Sequence, residues 1–193
     1  RGGLVTGAIS YPSTVKDFTK LLKAPLEIDL SEKRGLEMRR YINSSLSYTA
    51  RRRNDIDLVV VLGYSEKVRQ IKPSLDFLYA GDIPVYASSH IYNGTQQIEL
   101  NRDLSGIQFS AMNWTLDGHM PRPLKPDQRL PTAYRQLYAL GHDAFMLHAM
   151  LGEMDKPEAL PVFGSTGMLT LSEGVIKRHE KWAVFKKGKA VPA

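Results

Sequence analysis

Five histidines, His90, His119, His142, His148 and His179, are the first residues whose chemistry could define a site. No two stand four apart around a glutamate, the spacing that places two zinc ligands and a general base on one helix face. His142 and His148 are six apart and point to different sides of a helix. Cysteine is absent, so thiolate ligation and disulfides are both excluded. Neither a metal nor a cofactor is expected. Gly164-Ser165-Thr166-Gly167 sets a serine between glycines, but it lacks the G-x-S-x-G spacing and precedes a hairpin pattern. It reads as a tight turn. A phosphate-cradling glycine loop is missing too, and no motif places a Ser/His/Asp set. The expectation is a protein that is not an enzyme.

What remains is a set of polar and aromatic residues at the ends of three expected strands. Tyr64 and Ser65 follow the first, Ser88, Ser89 and His90 with Tyr92 follow the second, and Trp114 ends the third. Open α/β sheets bind ligands at the carboxyl ends of their strands, which makes these seven residues a candidate cleft. The plainer alternative is that they only cap strands and helices.

The elements that must position them centre on Asp55 to Ser65. Its five apolar residues Leu58 to Leu62, three of them valine, read as an inner strand covered on both faces. A helix from Ser65 to about Tyr79 follows, with Val68, Ile71, Leu75 and Leu78 inward and a kink or break expected at Pro73. Ile83 to Ala87 and Leu104 to Met112 read as the next two strands. Before this core, Leu4 to Ile9 reads as a short strand, and Val15, Phe18, Leu21 and Leu22 as one helix face. A second helical stretch carries Leu36, Met38, Tyr41 and Ile42. Thr115 to Leu130, rich in proline and charge, reads as a crossing segment. Thr132 to Glu153 is the strongest helix, with Leu137, Leu140, Ala144, Leu147 and Leu151 on its expected inner stripe. The end, from Gly167 to Phe185, has the turn chemistry of an antiparallel meander.

The 193 residues suffice for one large domain or two lobes, and the apolar share of 42% is ordinary for a globular protein. Arg1-Gly2-Gly3 reads as the interior of a longer chain. The net charge of +6 draws on Arg51, Arg52 and Arg53 and on Lys186, Lys187 and Lys189, read as solvated segments. An anionic polymer could meet Arg34, Arg39, Arg40 and the arginine triplet. The nearby aromatics are spaced as core, so no nucleic-acid partner is expected.

In order along the chain, DIDLVVVLG, IKPSLDFLYAGDIPVYASSHIY, DLSGIQF ending at Met112-Asn113-Trp114, LYALGHDAF and GSTGMLTLSEG with IKRHEKWAVFKKGKAVP resemble the LppC/LpoA family. The likeness is closest from Asp55 onward and looser before it. Asn113 stands where that family usually has proline, a departure at the strand exit. The resemblance implies an α/β, type I periplasmic-binding-protein-like fold with a parallel-sheet lobe and a small C-terminal antiparallel meander. Residues 1–114 would form the second lobe, 115–160 a crossing segment and long helix belonging to the first lobe, and 161–193 a meander returning to the second. Most of the first lobe would be missing from this chain. The implied function is non-enzymatic: an outer-membrane lipoprotein domain that activates a class A bifunctional penicillin-binding protein by direct contact from the periplasm. Peptidoglycan would be a further partner, and the membrane would be met only through an N-terminal lipid anchor absent here. The alternative is a periplasmic solute-binding or sensor protein that closes on a small ligand such as a peptidoglycan fragment.

Overall fold

A computed structural model describes residues 2–42, 47–116, 132–156 and 158–193. The expected crossing segment lies outside these residues from 117 to 130. The chain divides into two compact units, Arg1–Val61 with Glu66–Tyr86, and Leu62–Ser65 with Ala87–Ala193.

In the first unit, helix α1 covers Thr19–Lys23 and α2 covers Ile28–Ile42. The short α1 begins one residue after Phe18, and the Asp17 carboxylate accepts the Thr19 amide at 2.9 Å. Leu4 to Ile9, expected as a strand, has no regular structure, and Leu4 and Val5 are exposed. A strand needs a partner for its backbone groups as well as apolar side chains, and among the described residues this segment has the second without the first.

Strand β1 is Val59–Val61, followed by α3 over Ser65–Phe77 and β2 over Val85–Ala87, the expected strand–helix–strand unit. β1 and β2 are neighbours, and the Val59 amide donates to the Pro84 carbonyl at 2.9 Å. The two faces of the first strand differ. Val61 is 6% exposed, while Leu58, Val60 and Leu62 are 49%, 61% and 74% exposed. The apolar run is therefore covered on one side only, a correction to the reading of a doubly covered strand. α3 runs unbroken across Pro73, with Val68, Ile71 and Leu75 buried. Of the kink or break expected at Pro73, the break does not occur.

The Ala80 amide donates to the Leu75 carbonyl at 2.9 Å and the Tyr79 amide to the Asp76 carbonyl at 3.2 Å. These two bonds form a Schellman cap, and its left-handed position, normally glycine, is Tyr79 at φ 57°.

In the second unit, β3 is Gln108–Ala111, α4 is Thr132–Met154, and β4 to β8 are Val162–Phe163, Met168–Ser172, Val175–His179, Lys181–Lys186 and Lys189–Pro192. The antiparallel ending is present but serves two sheets. β4, β5 and β6 form one; β7 leaves them to pair antiparallel with β3, with β8 beyond it. Glu173-Gly174 and Lys187-Gly188 each put two consecutive residues at positive φ, the geometry of two-residue hairpin turns. Phe109 and Phe185 stack at 4.8 Å under Tyr92, and Leu104 and Ile107 complete that core.

α4 matches its expected length but buries a different stripe. Leu137, Leu140 and Leu151 are exposed. The packed side carries Ala139, Asp143, Met146, Leu147, Met150 and Met154, the last four gathered with Val162 and Leu169. Steps of three and four connect these positions, so the helix is amphipathic as predicted but turned.

Candidate functional site

Of the seven strand-end residues, Tyr64 and His90 meet: their rings lie 5.6 Å apart, nearly perpendicular. Ser88 Oγ is 3.4 Å from His90 Nδ1, and Ser89 begins the single 3-10 turn that carries the histidine. Ser65 opens α3. Tyr92 is buried on the Phe109–Phe185 pair. Trp114 packs against Tyr138 of α4 at 5.7 Å, and its amide donates to the Ser165 carbonyl at 2.9 Å. The strand ends thus carry an exposed Tyr64–His90 group, with Tyr92 in the core and Trp114 against a helix.

Sequence reasoning missed Asp143. It is 2% exposed and accepts three bonds from the Gly164–Gly167 turn: the Ser165 amide at 2.6 Å, the Thr166 amide at 2.8 Å and the Thr166 hydroxyl at 2.6 Å. Burial raises the pKa of this carboxyl, but the Thr166 hydroxyl and the Thr166 and Ser165 amides outweigh it and hold it below its ordinary value. Both glycines of the turn are demanded by contact. A Cβ on Gly164 would lie 2.6 Å from Asp143 Oδ2, and one on Gly167 would lie 2.6 Å from the His179 carbonyl oxygen. Asn113 adds a bond from Nδ2 to the Gly164 carbonyl at 3.4 Å, so the residue that departs from the family pattern also holds this turn.

Ser165, His142 and Asp143 bring together the three residue types of a nucleophilic triad, but their wiring is different. Ser165 Oγ lies 3.0 Å from His142 Nδ1, and Asp143 Oδ1 lies 3.4 Å from the same nitrogen. A relay needs serine and aspartate on opposite ring nitrogens. The cluster instead fastens α4 to the turn between β4 and β5.

In the first unit the arginine triplet is not simply solvated, as its sequence suggested. Arg53 grips Asp55 through Nε and Nη2, both at 2.5 Å, and reaches Glu27 at 3.2 Å. That grip holds the Asp55 carboxyl down to about 2. Arg52 donates to Asp82 at 2.6 Å, to the Tyr79 carbonyl at 3.0 Å and to the Arg53 carbonyl at 3.1 Å. Arg39 lies over the Tyr48 ring at 4.9 Å. Arg51 is tied through its backbone amide to Ser31 Oγ at 3.0 Å, and its exposed guanidinium makes no ion pair among the described residues. No group of three or more His, Asp or Glu that could hold a metal occurs among the described residues, and no described helix is long and apolar enough to cross a membrane.

Residues 4–188 match the family model described as "LppC putative lipoprotein". The chain belongs to the LppC family. It is 31% identical to the penicillin-binding protein activator LpoA of Edwardsiella ictaluri, over 71% of this chain and 21% of that protein. It is 29% identical to the LpoA of Aliivibrio fischeri, over 92% of this chain and 30% of that protein. The chain therefore spans under a third of these LppC-family relatives. In structure it is similar to the LpoA C-domain of Haemophilus influenzae, described as a regulator of PBP1A. The TM-score is 0.58 at 20% identity, covering 82% of this chain and 49% of that one. The fold is thus the α/β class of that C-domain, here with β7 and β8 running antiparallel beside β3 and a small antiparallel sheet of β4 to β6.

Proposed function

We propose that this chain is part of a non-enzymatic regulator of peptidoglycan synthesis, acting on a class A bifunctional penicillin-binding protein by direct contact from the periplasm. The match to the LppC family over residues 4–188 carries the reading, because the relatives named above are penicillin-binding protein activators. The wiring of Ser165, His142 and Asp143 supports it, since the cluster most like a catalytic one is built as a brace. In this reading the whole protein is anchored by lipid to the inner face of the outer membrane. The long α4 belongs with the first lobe of a two-lobed domain, and its exposed Leu137, Leu140 and Leu151 support that placement. Glycan polymerisation by the cognate synthase, measured with and without the full-length protein, tests the proposal. A rise in rate with co-purification is expected; no binding and no change in rate overturns it.

A second reading, a solute-binding or sensor protein, rests on the exposed Tyr64–His90 group. Calorimetry with muropeptides and amino acids, on the full-length protein and a Tyr64→Ala variant, separates the two. Heat that is lost in the variant favours the sensor, and no heat with any of these solutes counts against it.

A further inference from the structure

The end of α3 breaks a local rule. A Schellman cap places one residue in the left-handed region, where glycine is the residue without strain. Here Tyr79 occupies it at φ 57°, with Gly81 two positions further on. A side chain in that region works against the fold, and such strain collects where a side chain is needed for something else. The Tyr79 ring does no core work, being 69% exposed. Its backbone is over-determined, however: the Ala80 and Tyr79 cap bonds fix one side and Arg52 Nε holds its carbonyl from the other.

The ring borders a groove of about 520 Å³ whose lining also includes Thr49, Arg51, Arg52, Asn54 and Asp82. That volume is within the usual range for small-ligand sites. Arg52 is spoken for by Asp82, which leaves Arg51 as the cation with no ion-pair partner among the described residues. An exposed aromatic face, an uncommitted guanidinium, an amide and a hydroxyl share one groove. The ring offers an apolar platform with a polar rim, and the guanidinium is shaped for a carboxylate. Asn54, Thr49 and the outer oxygen of Asp82 can serve hydroxyl groups.

We propose that this groove binds a carboxylate-bearing saccharide, with the sugar ring on Tyr79 and the carboxylate on Arg51. The choice of a saccharide rests on the peptidoglycan reading above; the preference for an anion rests on Arg51 alone.

N-acetylmuramic acid and N-acetylglucosamine are suitable probes, because the lactyl carboxylate is the difference between them. NMR titration of the full-length protein should show binding of the first and at least tenfold weaker binding of the second. Arg51→Ala should weaken the acidic sugar about tenfold, as loss of a charge-assisted pair does, and leave Tm unchanged. Tyr79→Gly should weaken both sugars while raising Tm, a pairing that a merely structural tyrosine would not give. Equal binding of the two sugars, no binding of the acidic one, or unchanged affinity in both variants overturns the proposal. Synthase activation, measured on the same preparations, is a separate readout, so a groove that binds nothing leaves the activator reading standing or falling by itself.

Discussion

The Asp143 turn and the Tyr79 cap both lie where the chain leaves a regular element, and both are fixed by a charged side chain. At the first, the carboxylate meets three donors and is closed from solvent. At the second, Arg52 satisfies the backbone while the Tyr79 ring and the Arg51 guanidinium face outward. A closed constellation spends its polar groups on the fold. An open one, held in place at a local cost in stability, keeps them for something outside. The residue types alone suggest the reverse, because the closed cluster contains serine, histidine and aspartate.

Asp143→Ala gives the largest test of this contrast. It strands two buried amides and a hydroxyl, and should lower unfolding stability by about 3–5 kcal/mol in denaturant titrations. A loss under about 1 kcal/mol would mean the cluster is not a brace. The same contact can be read by pH. Because the folded state holds the Asp143 carboxyl below its ordinary value, its contribution is complete above the unfolded pKa, near 3.9, and fades as the pH falls toward the folded one. The difference in Tm between wild type and Asp143→Asn should therefore be widest near neutrality and narrow below about pH 4. A gap that widens in acid would contradict the assignment. Gly167→Ala comes next, since its Cβ would press on the His179 carbonyl; a loss of roughly 1–3 kcal/mol is expected from the forced shift. On the open side the sign reverses. Tyr79→Gly should gain about 1 kcal/mol by removing left-handed strain, and a loss would show that the ring packs after all. Arg51→Ala should change stability by less than about 0.5 kcal/mol, as an exposed side chain without a structural partner does.

The main elements were legible because they depend on local pattern. Val59–Val61 announces itself by β-branched residues, α4 by its three-and-four spacing, and the Gly164–Gly167 turn by its glycines. What covers an element is a property of the neighbours. The run Leu58–Leu62 looks the same whether or not a layer lies over its second face, and here Leu58, Val60 and Leu62 are open. The stripe on α4 was misjudged because its packed side includes an aspartate, which hydropathy assigns to water. Three donors 22 and 23 positions away make that burial favourable. Placing Asp143 four residues after Ala139 and before Leu147 was the available signal. Tyr79 was hidden by Gly81, which drew the turn to itself. In the candidate cleft, the sequence located strand ends but could not tell the exposed Tyr64 and His90 from the buried Tyr92, because all three are amphipathic.

The pairing of β7 with β3 has a consequence in time. Lys181 lies opposite Ala111, so β3 is made 70 residues before the strand that covers it. The β7–β8 hairpin, closed by Lys187-Gly188, can form within about 10 μs once it exists. In the proposed periplasmic setting, however, β3 emerges 70 residues ahead of β7, and its edge stays open until that strand follows. During that interval the Phe109 strand is the part of the second unit most exposed to wrong pairing, and a chaperone that shields strand edges would act there first.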